Sequence, residues 1–171
     1  MGGWTVPYGI ALVLLMAAGV AKLVEPRDTA GALLRSGLRV PPVAVRVGAA
    51  YEFALAASSL ATGARGGAAF VAASYLAFTI FVVQALVRRV PVGSCGCFGR
   101  VETPPSVWHV VVNLGCAIAA FGAAVAGPAP WLGLADIASG PAFLVVLLIL
   151  AGAGLAAALL TVVPRTFAAR G

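Results

Sequence analysis

Five runs of about twenty mostly apolar residues, each cut off by charged or turn-forming residues, leave this chain few possible folds. They extend from about Trp4 to Leu23, Pro42 to Thr62, Ala68 to Val87, Val107 to Ala126 and Pro141 to Val163. Each is near the roughly 20 residues that a helix of 1.5 Å rise needs to cross a hydrocarbon core of about 30 Å. Helices are the natural choice, because within lipid every backbone N–H and C=O must pair inside its own segment. Composition points the same way. Of 171 residues, 62% are apolar and 9% charged, whereas soluble domains run near half apolar and about a quarter charged. A short chain cannot hide that much apolar surface from water. The expectation is one all-α membrane domain: a polytopic transmembrane helical bundle of four core spans and a fifth at the C-terminal end. A cytosolic globule and a disordered segment are excluded. The first run reads as a span rather than a signal peptide, since no basic residue precedes it and it exceeds a typical signal core.

The net charge of +6, from 11 Lys+Arg against 5 Asp+Glu, resembles a nucleic-acid signature until the charges are located. They cluster at the ends of the apolar runs, where basic residues set membrane orientation. The first connection holds Arg27, Arg35 and Arg39, with Lys22 and Arg46 at its borders; the third holds Arg88, Arg89 and Arg100; the C-terminal tail holds Arg165 and Arg170. Only Arg65 falls on the opposite face. The partner expected is therefore the lipid bilayer, not a nucleic acid. The first and third connections and the C-terminus are expected on the cytoplasmic face, and the N-terminus outside. Within the first connection, Glu25-Pro26-Arg27-Asp28 reads as a turn. Thr29–Leu38 reads as a short amphipathic helix ending near Gly37, with Arg35 and Arg39 toward lipid headgroups.

The sharpest chemical feature is Ser94-Cys95-Gly96-Cys97-Phe98-Gly99, inside a turn spanning about residues 91–105. One glycine between two cysteines lets the sulfurs approach without a Cβ clash. A disulfide closing so small a loop barely constrains the unfolded chain, and its geometry is strained, so it suits reversible redox chemistry better than a structural role. Arg88, Arg89 and Arg100 favour thiolate over thiol. The rivals are an inert turn and soft-metal binding by Cys95 and Cys97, since thiolates select copper(I) or zinc, although two sulfurs fall short of the four ligands of structural zinc.

Other polar residues in the apolar runs are few. His109, Asn113 and Cys116 share one face of the fourth run at i, i+4, i+7 spacing. Cys116 is a candidate third member of a thiol relay, or a small buried hydrophobe. His109 is a candidate base for a cysteine, or a packing residue. Glu52 lies near the middle of the second run, where a carboxyl is costly and by default marks function. Helical rise puts Glu52, Thr79 and Cys116 in one layer, with Gln84 and Asn113 nearer the charged face. Lys22 and Glu25 are spaced to pair at i, i+3. Gly115, Ala119, Gly152 and Ala156 at four-residue spacing permit close helix packing.

Several of these residues carry a family resemblance. Gly19-Val20-Ala21-Lys22-Leu23 followed by Glu25-Pro26, then Gly37-Leu38, Pro41-Pro42 and Tyr51-Glu52, are similar to the DoxX-like membrane proteins. The Cys95-Gly96-Cys97-Phe98-Gly99 motif resembles the MauE branch, the methylamine-utilisation redox-associated membrane proteins. The resemblance covers about residues 8–125. It implies a helical bundle in the bacterial inner membrane, thiol–disulfide chemistry at Cys95 and Cys97, and Glu52 as an intramembrane acid.

The function expected is thiol–disulfide exchange with a thioredoxin-like or other redox partner protein, with a quinone as a candidate electron acceptor. The alternatives are a copper, mercury or small-solute transporter and a non-catalytic membrane anchor. The resemblance also links this chemistry to disulfide maturation of a periplasmic enzyme subunit, which takes place outside the cytoplasm, yet the charge count points the Cys-Gly-Cys turn at the cytoplasm, where thiols are kept reduced. This favours transfer of electrons or thiol equivalents across the membrane over local disulfide formation.

Overall fold

The computed structural model describes residues 3–88, 105–127 and 140–162. These hold helices α1 (Thr5–Val24), α2 (Pro26–Arg35), α3 (Pro42–Thr62), α4 (Arg65–Val87), α5 (Val107–Ala126) and α6 (Gly140–Thr161). All but α2 are long and apolar enough to cross a membrane. The chain is a multi-pass, all-α integral membrane protein. Its outer face carries the apolar side chains that lipid requires, including Val47, Phe70, Ile80, Phe121, Leu148 and Leu155.

Helix α1 is the centre of the bundle, packing along α3 and also against α5 and α6, while α4 packs along α5. Its buried residues Tyr8, Leu12 and Leu15 share one core with Ala56 of α3, Val71 and Tyr75 of α4, and Ala117 and Ala120 of α5. The facing residues on α3, α4 and α5 are mostly alanines, which let helices approach where no hydrophobic force drives them together in lipid. At the α1–α3 crossing Gly19 lies against the backbone of Ala49 and Phe53; a Cβ there would sit 3.1 Å from the Ala49 carbonyl oxygen. On the other side of α1, Gly9 packs under Ile149 and Gly152 under Ile10, a reciprocal fit that seats α6. Gly115, by contrast, is exposed with open space around it and closes no helix contact among the described residues.

Two boundaries differ from the sequence expectation. Helix α2 starts at Pro26 rather than Thr29, because proline is pre-organised for the first helical position and its missing N–H has no helical role there. It ends at Arg35, before Gly37 at φ 90°. Helix α4 starts at Arg65 rather than Ala68. Gly63 takes the left-handed conformation (φ 60°), its N–H bonding the Ser59 carbonyl, and so reverses the chain at once into α4.

This tight connection joins α3 and α4 at one end. At the other end α2 lies across the bundle: Ala32 of α2 is buried against Ala85 of α4. The first connection and the chain leaving α4 at Arg88 therefore share one end of the molecule. Arg27, Arg35 and Arg39 are exposed there.

Candidate functional site

Lys22 lies two residues before the end of α1, where a lysine ordinarily extends outward to the headgroups. It turns inward instead. Helical Cα–Cβ bonds tilt toward the N-terminus, and for α1 that direction leads back into the membrane. The Lys22 Nζ reaches Glu52 Oε2 on α3 at 2.7 Å, and Lys22 is 7% exposed. Ten residues into α3, Glu52 sits about 15 Å along that helix, and the ion pair supplies the opposite charge that such a depth demands. The expected Lys22–Glu25 contact is replaced by this longer-range one. Pairing with a water-accessible Glu25 would relieve neither Lys22 nor Glu52 of burial.

The pair is continued by aromatic residues. Lys22 Nζ stands 4.5 Å above the Phe78 ring centre, a cation–π contact. Phe78 meets Tyr75 edge to face, with centroids 5.9 Å apart. The Tyr75 hydroxyl donates a 2.7 Å hydrogen bond to the Ala11 carbonyl. The buried thiol of Cys116 lies beside that hydroxyl. Lys22, Tyr75 and Asn113 also border a void of about 30 Å³, enough for one water. Glu52 and Cys116, sharing a layer by helical rise, are thus connected through Lys22, Phe78 and Tyr75.

Above the ion pair is a cavity of about 290 Å³ between the far halves of α3 and α4, roofed by α2. Lys22 and Glu52 form its polar floor, Phe78 and Phe81 one wall, and Ala49 and Val45 the other. Its rim includes Ala44, Gly48 and Ala77, which are small and exposed on the outer face of the bundle.

Other expected site residues fall elsewhere. His109 is buried in the first turn of α5, its Nδ1 2.9 Å from Ser106 Oγ. Thr79 bonds the Tyr75 carbonyl one turn back, and Gln84 is exposed outside the bundle; neither joins the cavity. Cys95 and Cys97 lie outside the described residues. Among the described residues no three His, Cys, Asp or Glu side chains gather as metal ligands.

Sequence reasoning placed Glu52 but missed its partner, and it missed Tyr75 and Phe78 altogether. A signal for the partner existed: Lys22 is the chain's one lysine, set inside an apolar run, and a buried acid calls for a cation. Tyr75 and Phe78 gave no such signal, since aromatics on a span also face lipid.

A family model described as methylamine utilisation protein MauE matches residues 1–127. No curated protein matches the chain, and no solved structure does.

Proposed function

The chain belongs to the MauE family, and on that premise we propose that it exchanges thiols and disulfides with a partner protein through Cys95 and Cys97, in the bacterial inner membrane. The observation that carries this reading is topological. The segment holding both cysteines leaves α4 at Arg88 and returns at Pro105 just before α5, so it is tethered at the α2 end of the bundle, the end where the Lys22–Glu52 cavity lies. A segment carrying two cysteines among arginines in sequence, and a buried ion pair, then belong to the same end.

Exchange runs through a mixed disulfide. A partner thiolate attacks one sulfur of the Cys95–Cys97 disulfide, the other sulfur leaves as thiolate, and a second partner thiolate displaces the first cysteine. The partner becomes a disulfide and Cys95/Cys97 a dithiol; the reverse order reduces the partner. Arginine side chains beside the turn stabilise the leaving thiolate. Cys116 packs against Tyr75 and takes no part in exchange. Basic residues at the α2 end favour the cytoplasmic side for it.

Mixed-disulfide trapping tests the proposal. Reduced Cys95→Ser and Cys97→Ser single variants are incubated with a thioredoxin-like protein whose one active cysteine is activated as a mixed disulfide with thionitrobenzoate, the leaving group that the attacking thiolate displaces. One of the two variants accumulates a covalent adduct through its remaining cysteine. Absence of an adduct in both overturns it.

A further inference from the structure

We propose that the cavity over Lys22 and Glu52 is a binding site for a lipid-soluble quinone, entered sideways from the bilayer between α3 and α4. This rests on the thiol–disulfide reading for its purpose but not for its evidence, which is the shape and charge of the cavity.

The rim decides the route of entry. Ala44, Gly48 and Ala77 are exposed on the outer face of a membrane-spanning bundle, so the opening between them faces acyl chains. A Cβ on Gly48 would meet nothing within 4 Å, so this rim position has room for a larger side chain. A ligand arriving there is already dissolved in lipid.

The floor decides the head of the ligand. Lys22 carries a positive charge, but Glu52 at 2.7 Å neutralises it, which leaves no net charge to hold the phosphate of a phospholipid. An ammonium has three donors. One serves Glu52 and one face meets Phe78, leaving an N–H for a neutral acceptor such as a quinone carbonyl. Phe78 and Phe81 supply flat apolar walls for a ring, the aromatic pairing that such rings favour. The volume, about 290 Å³, lies at the lower end of small-molecule sites, near 300 Å³. That suits a ring head whose tail remains in the bilayer.

The quinone completes the redox balance. Oxidation of the Cys95/Cys97 dithiol to a disulfide forms one S–S bond and releases two electrons and two protons. One quinone takes up both electrons and both protons and leaves as quinol.

The test is photolabelling of the purified full chain in nanodiscs with an azido-substituted short-chain ubiquinone, the labelled peptides being mapped by mass spectrometry. The expected result is labelling of α3 or α4 beside the cavity, competed by unlabelled quinone. Labelling should fall at least tenfold in Gly48→Phe and in Lys22→Met, and stay unchanged in Gly115→Leu. Gly48→Phe keeps the test decisive should Lys22→Met not fold, because its side chain enters open space. The Cys95→Ser/Cys97→Ser double variant should label like the parent. Binding thus survives failure of the thiol reading, and quinone reduction by the wild-type dithiol tests that reading separately. Labelling confined to other helices, labelling indifferent to Gly48→Phe, or a phospholipid or second copy of the chain that fills the cavity and resists quinone overturns the proposal.

Discussion

Lys22 of α1 and Glu52 of α3, 30 residues apart, form a 2.7 Å ion pair inside the bundle. The two helices could hardly slide or rotate past one another without separating the charges. Breaking a buried pair by removing one partner typically costs about 3–5 kcal/mol, whereas replacing both by apolar residues of similar size is often neutral. Lys22→Met should therefore lower the unfolding temperature in detergent clearly, and Lys22→Met/Glu52→Met should recover most of the loss. If the double variant is as unstable as the single one, the pair is not the source of the cost. Stability restored to the double variant should not bring quinone labelling back.

Two glycines, Gly19 inside the α1–α3 crossing and Gly48 on the outer side of α3, should respond with opposite sign. Gly19 abuts the backbone of Ala49 and Phe53, so Gly19→Leu must push α1 and α3 apart, at about 2 kcal/mol of overpacking. Gly48 has open space around it, so Gly48→Ala meets no clash and gains up to about 1 kcal/mol of helix propensity. Thermal unfolding of the two variants checks both. Equal responses would mean that the α1–α3 crossing is not where the structure puts it.

Cys116 is buried against Tyr75. A water-soluble maleimide should leave it unmodified in the folded protein over a time that fully modifies the unfolded chain. Cys116→Ala should cost about 1 kcal/mol of stability and leave thiol exchange at the parent rate. A stable Cys116→Ala protein that no longer exchanges thiols would put Cys116 in a relay after all.

How far the sequence carries depends on what each residue's environment demands. The spans follow from length and hydropathy alone, and Glu52 follows from the cost of a carboxyl at that depth. The starts of α2 and α4 did not, because Pro26 and Gly63 act through backbone geometry that hydropathy does not register. The partner of Lys22 was misread because i, i+3 spacing is a local rule, while burial asks for the nearest opposite charge in space. The cavity was not legible at all. It exists because α3 and α4 are joined tightly at Gly63 and separate toward the α2 end, a property of helix packing that no single residue announces.

Thiol exchange through this segment requires that Cys95 and Cys97 change redox state together. The most direct measurement is the mass of the intact chain after thiol alkylation, following incubation with reduced and then oxidised thioredoxin-like protein. Cys116→Ala serves as the background, so that only Cys95 and Cys97 can react. Two alkyl groups are expected after the reduced partner and none after the oxidised one, with the change reversible. A chain that carries the same number of alkyl groups under both conditions would contradict exchange through this segment.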